Sequence, residues 1–135
     1  MTTKLLPPIV TVQELAGRTD VVLCDVRWYL DRTPGRNKYN EGHIPGSIFV
    51  DLDEHLATLP RKSEGRHPLP AAASFAASLG SLGISHEDPV VAYDDSGGMS
   101  AGRLVWMLRV LGPTVGVLSH PNFRMERLFM KNTLN

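Results

Sequence analysis

The chain has 135 residues, 42% of them apolar and 21% charged, which suits one ordinary globular domain with a single core and excludes a disordered polypeptide. Its 14 Lys and Arg balance its 14 Asp and Glu, so no net charge draws it to nucleic acid or to an anionic membrane. The one cysteine, Cys24, excludes an intrachain disulfide and a multi-cysteine metal centre, and fits a reducing compartment.

Met1 to Val12 carries one lysine and a Pro7-Pro8 break, a poor secretory signal. No apolar run approaches the ~20 residues of a membrane span, so a cytoplasmic location is expected. Ile9-Val10 suits a short opening strand. Thr11 with Glu14 three residues on is a capping box for a helix over Val12 to Ala16, stopped at Gly17. Val21-Val22-Leu23-Cys24 is an unbroken apolar run of strand length, as in a parallel sheet buried on both faces. Asp31 to Asn40 is polar, contains Pro34 and Gly35, and reads as a loop.

Tyr39 to Ser47 suggests a turn of helix and then a tight Pro45-Gly46 corner, followed by a strand at Ile48-Phe49-Val50. A short helix fits within Asp51 to Leu59. Pro60 to Pro70 has no periodicity and reads as a long surface connection. Pro70 suits the first position of a helix over Ala71 to Leu82, whose Ala72, Phe75, Ala76 and Leu79 share one face, and Gly83 ends it.

Val90 to Tyr93 is the central buried strand. The loop Asp94-Asp95-Ser96-Gly97-Gly98-Met99-Ser100 then opens a helix with an apolar stripe at Leu104, Val105, Leu108 and Leu111, closed by Gly112-Pro113. A glycine-containing loop between a buried strand and a helix N-terminus gathers N–H groups into an anion cradle. Here its first two positions are carboxylates. Val115 to Leu118 is one more strand. Strands alternating with helices imply an α/β fold with a parallel sheet and right-handed crossovers, and sites then gather at the carboxyl ends of the strands. His120 to Asn135 has no clean helical stripe and suggests a loosely docked or disordered tail, dividing the chain into residues 1–118 and 119–135.

Six segments in order then carry a resemblance: Asp25-Val26-Arg27-Trp28, Tyr39-x-x-Gly42-His43-Ile44-Pro45-Gly46, Phe49-x-Asp51, His67-Pro68-Leu69-Pro70, Val90-Val91-Ala92-Tyr93-Asp94 and Arg103-x-x-Trp106-x-Leu108-Arg109. Together they resemble a rhodanese domain, and more closely the N-terminal domain of tandem thiosulfate and 3-mercaptopyruvate sulfurtransferases. The resemblance runs from about Val10 to Leu118. It implies a five-stranded parallel sheet with helices on both faces, and a family reaction that passes sulfane sulfur from thiosulfate or mercaptopyruvate through a cysteine persulfide to cyanide or a thiol. It implies no cofactor and no metal.

In the family the catalytic cysteine opens the loop after the central strand, where this chain has Asp94. In two-domain members that cysteine belongs to the second domain and the first is structural, which is how an aspartate here reads. The stretch after the last strand departs from the family's Asp-Gly-Gly and Trp helix, as if a first half carried a replaced end. The partners implied are a second, cysteine-bearing domain or a second copy of the chain.

The candidate residues follow. Cys24 is the only thiol, hence the only alternative sulfur carrier, but its apolar run favours a buried, inert role. His43 matches a first-domain histidine that the resemblance assigns to the substrate pocket; the alternative is a histidine bracing the Pro45-Gly46 corner. Asp94 and Asp95 read as an inert substituted loop rather than an acid/base pair or cation site. A Cys-x5-Arg phosphatase pattern is absent there. Arg103 is expected to pair with Asp25, bracing the sheet edge. Trp28 and Trp106 suit core or interface anchors, and Asp51, Asp53 and Glu54 suit a solvated edge.

Overall fold

The computed structural model describes residues 9–16, 18–58, 65–85, 88–111 and 115–118. Five strands form one sheet: β1 (Ile9–Val10), β2 (Val22–Asp25), β3 (Ile48–Phe49), β4 (Val90–Tyr93) and β5 (Val115–Leu118). Their order is β1-β5-β4-β2-β3 and every pair is parallel. The helices are α1 (Val12–Leu15), α2 (Gly35–Glu41), α3 (Leu52–His55), α4 (Ala72–Ser81) and α5 (Met99–Leu111).

The unbroken apolar runs become inner strands because both faces of the sheet are covered. All four residues of β4 are buried, and they alternate between two cores. Val90 and Ala92 join the larger one, with Cys24, Phe75 and Leu79 of α4, and Leu104, Val105 and Leu108 of α5. Val91 and Tyr93 join the smaller, with Val10, Ile44 and the flanking Val12 and Leu15 of α1. The α/β fold with helices on both faces of a parallel five-stranded sheet is therefore as the sequence implies.

The Thr11–Glu14 capping box forms in both directions: Glu14 N–H donates to Thr11 Oγ1 at 3.1 Å and Thr11 N–H to Glu14 Oε2 at 2.9 Å. Pro70 lies two positions before the first helical residue rather than at it, since α4 starts at Ala72 with Ala71 as its N-cap. The larger correction is at Asp31 to Asn40, where α2 occupies most of the expected loop. Pro34 supplies an extended N-cap at φ −63° rather than a break. Gly35 lets the helix start lie directly on the Arg27 carbonyl, which a Cβ there would approach to 2.2 Å. The helix stops expected at Gly17 and Gly112-Pro113, part of the connection before Pro70, and the tail from Ser119 lie outside the described residues. Among the described residues no helix is long and apolar enough to cross a membrane.

Candidate functional site

After β2 the chain passes outward to β3, and after β4 it passes the other way to β5. The carboxyl ends of β2 and β4 thus flank a topological switch point, where connecting loops diverge and leave a crevice. Trp28 and Tyr29 stand on one side and the Asp94 loop on the other. Tyr29 closes the gap, donating its hydroxyl to Asp95 Oδ2 at 2.6 Å. Burial, and then the hydrogen bond to Asp95, push the Tyr29 phenol well above its ordinary range.

The cradle read from the sequence is present and is occupied by the chain itself. Asp94 Oδ1 accepts from the N–H groups of Ser96 (2.9 Å) and Gly98 (2.8 Å). Its Oδ2 accepts from Ser100 (2.9 Å) and Ala101 (2.8 Å) in the first turn of α5. The loop can fold this tightly because Gly97 and Gly98 take φ of +71° and +92°, which side-chain-bearing residues rarely adopt. Asp94 is buried, so this carboxylate takes the position that an external or covalently attached anion would need. Asp95 points elsewhere, and the two carboxylates do not converge on a common atom.

Behind the crevice lies a closed polar network. Arg27 grips Asp25, with Nη2 at 2.8 Å from Oδ2 and Nε at 3.1 Å from both carboxylate oxygens, and also donates to the Gly42 carbonyl at 2.7 Å. The expected Asp25–Arg103 pair does not form. Asp25 shares the sheet face of Tyr93, whereas α5 packs on the opposite face. Arg27, only two residues along, takes the carboxylate instead. Arg103 donates to backbone carbonyls, to Leu56 O through Nε (3.1 Å) and Nη2 (2.8 Å) and to His67 O through Nη2 (2.7 Å).

Cys24 has no exposed surface and lies in the larger core, as its apolar run suggests. Burial, with a contribution from the Asp25 charge, pushes its thiol up to about 12. His43 is half-buried and stacked on Tyr39 with ring centroids 3.7 Å apart. Its Nδ1 lies 2.7 Å from the Tyr39 carbonyl, which can only accept, so Nδ1 carries the proton and Nε2 is the edge left for another partner.

A second constellation joins the expected surface connection to the solvated edge, where the Asp53 side chain is 64% exposed. His67 Nδ1 lies 3.3 Å from Asp53 Oδ1. Trp28 donates its indole N–H to Asp53 Oδ2 at 3.0 Å and meets the His67 ring edge-on at 5.0 Å. Asp51 likewise has a structural task, capping α3 through the N–H groups of Asp53 (2.8 Å) and Glu54 (3.1 Å). A carboxylate beside one imidazole nitrogen holds the ring in the tautomer that leaves the other nitrogen a proton acceptor. The one signal for this pair was His67-Pro68-Leu69-Pro70 among the resembling segments; spacing alone does not join residues 14 positions apart across a loop. Trp106 is 55% exposed and lines a groove with Leu69, Phe75 and Val110 rather than filling the core.

Comparison with known proteins gives one family: the rhodanese-like domain model matches residues 10–120. Among curated relatives, the bovine thiosulfate sulfurtransferase is 42% identical over 99 residues, covering 70% of this chain and 32% of its own. Thiosulfate/3-mercaptopyruvate sulfurtransferase 2 of Arabidopsis thaliana is 40% identical over 111 residues, covering 78% and 31%. In structure, the 3-mercaptopyruvate sulfurtransferase from Leishmania major superposes with a TM-score of 0.76 at 34% identity, over 82% of this chain and 31% of that one. The chain therefore spans about a third of the length of each of these relatives.

Proposed function

This chain belongs to the rhodanese-like domain family, and from that premise we propose that it is a sulfurtransferase-family domain with no sulfur-carrying activity of its own. The observation that supports this is the Asp94 carboxylate held by four backbone N–H groups. A thiolate or persulfide at that place would need the same donors, and a carboxylate has no sulfur to carry. Cys24, the alternative carrier, is closed in the core with its thiol held neutral. A reducing, cytoplasmic location and a rhodanese-like unit over residues 1–118 belong to the same proposal.

The test is turnover of thiosulfate and of mercaptopyruvate with cyanide as acceptor. We expect no thiocyanate above background, and no gain of one sulfur in the protein's mass after thiosulfate treatment. Thiocyanate formation that disappears in Cys24→Ser would overturn the proposal and make Cys24 the carrier.

A second element is favoured by the Asp53–His67 pair at the crevice edge and by relatives about three times as long. We propose that the chain contributes half of a composite site. A cysteine-bearing rhodanese-like domain supplies the sulfur carrier; His67, oriented by Asp53, supplies a proton acceptor. His43 contributes to the substrate pocket through Nε2 alone. Mixing the chain with a separately produced cysteine-bearing domain should raise turnover above the sum of the two, and His67→Asn should remove that gain. No gain on mixing, with only self-association of this chain, would exclude the composite site.

A further inference from the structure

We propose that Arg103 is a positioning residue that fixes His67 against Asp53, an inference that rests on the reading of His67 as part of a composite site. Arg103 lies in the second turn of α5, two residues beyond Ala101, whose N–H completes the Asp94 cradle. Its guanidinium is half-buried and makes no ion pair with a carboxylate among the described residues. All of its hydrogen bonds there go to two backbone carbonyls, those of Leu56 and His67. Burial without a compensating anion lowers its pKa, so the side chain sits there at an electrostatic cost that a merely solvating position would avoid.

His67 is where such a hold is required. Its φ is +50°, in the left-handed region that residues with a Cβ rarely occupy and that persists only where surrounding contacts over-determine it. Arg103 Nη2 holds the His67 carbonyl at 2.7 Å, and the Thr58 N–H holds the next carbonyl, that of Pro68, at 3.0 Å. On the ring side, Trp28 stands edge-on at 88° while its indole fixes Asp53. The backbone is clamped from α5 and the ring from Trp28, leaving Nδ1 directed at Asp53. The arginine's own helix also donates two cradle N–H groups, so His67 and the Asp94 loop are held to one rigid element.

The ring itself reports the outcome, through 15N-resolved imidazole tautomer spectra of the full chain recorded at alkaline pH. In the wild type His67 should show the Nδ1–H tautomer. Arg103→Met should lose that preference, with the His43 and His55 signals unmoved, and Arg103→Lys, which keeps one carbonyl contact, should fall between. An unchanged His67 tautomer in Arg103→Met overturns the proposal. Displacement of all ring signals together, or failure of both variants to fold, overturns it as well, because Arg103 is then only a brace of the core. Failure of the composite site is separately visible: His67→Asn would leave turnover of the mixed domains unchanged while the ring spectrum still responded to Arg103.

Discussion

Tyr93 and Asp25 stand opposite one another in adjacent strands, and Tyr93 donates its hydroxyl to the Asp25 carboxylate at 2.9 Å with both residues wholly buried. A phenol has one proton, so the 3.0 Å contact with Ser47 Oγ must be donated by the serine, and the Ile44 N–H donates a second at 3.1 Å. Tyr93 thereby ties the end of β4 to β2 and to the Ile44 to Ser47 corner. Tyr93→Phe leaves two donors and one carboxylate lone pair without this partner in a dry site. It should cost about 1–3 kcal/mol, read as a lower denaturant midpoint with an unchanged slope. A midpoint equal to the wild type would show that water replaces the hydroxyl.

Cys24 should behave as a core residue that is also a source of pH dependence. Its thiol is pushed up to about 12 in the folded chain, by burial first, from an ordinary 9.0. Between those values the unfolded chain has lost the proton and the folded chain keeps it. The unfolded state therefore binds fewer protons, and stability falls as pH rises through this window. The stabilising contribution is complete below pH 9 and is gone above about pH 12. Wild type should lose up to about 1.4 kcal/mol per pH unit more than Cys24→Ala across the alkaline limb. Parallel limbs for the two proteins would sink the assignment, as would labelling of the native thiol by a disulfide reagent at neutral pH.

The sheet was legible in the sequence because parallel strands covered on both faces read as unbroken apolar runs, as Val90 to Tyr93 does. The cradle was legible for a similar local reason, since Gly97 and Gly98 announce the left-handed turn that gathers its N–H groups. The self-occupation of that cradle was half legible: the sequence places a carboxylate first in the loop, but the turning of its two oxygens back onto four donors is a matter of coordinates. What stayed hidden depends on contacts made across the fold. Asp25 chooses Arg27 over Arg103 because of the sheet face each occupies, and Asp53 meets His67 because Arg103 and Trp28 draw a connection without periodicity onto the crevice edge.

Gly35 shows the same limit in a form open to mutation. A Pro-Gly pair ordinarily marks a turn, and here it starts α2 because only a residue without a Cβ fits between the helix and the Arg27 carbonyl. A Cβ would lie 2.2 Å from that carbonyl oxygen and 3.0 Å from the Phe49 ring, and the backbone atom cannot turn aside. Gly35→Ala should cost about 1–3 kcal/mol or more, although alanine favours helices elsewhere. The displaced Arg27 should also loosen its hold on Asp25, so unfolding should become faster as well as more complete. A stabilising Gly35→Ala would mean that α2 does not rest on Arg27.

Asp94 supplies the decisive comparison, because its carboxylate carries the proposal of a silent domain and also braces the loop. Asp94→Ala strands four N–H groups, two of them in the first turn of α5, and forfeits a negative charge at a helix N-terminus. The loss should be about 2 kcal/mol or more. Asp94→Asn should not rescue it fully, since its amide presents donors to two of the four N–H groups. With the cradle emptied, added sulfate should restore part of the stability of Asp94→Ala, because the donors then face an anion again. Sulfate also stabilises folded proteins in general by exclusion from their surfaces, so the informative quantity is the difference from wild type, whose cradle is already filled. A larger sulfate-induced rise in midpoint for Asp94→Ala than for wild type is the expected result. Equal rises would mean that the four N–H groups do not form a pocket once the carboxylate is gone, and that the loop owes its shape to Asp94 rather than lending that shape to an anion.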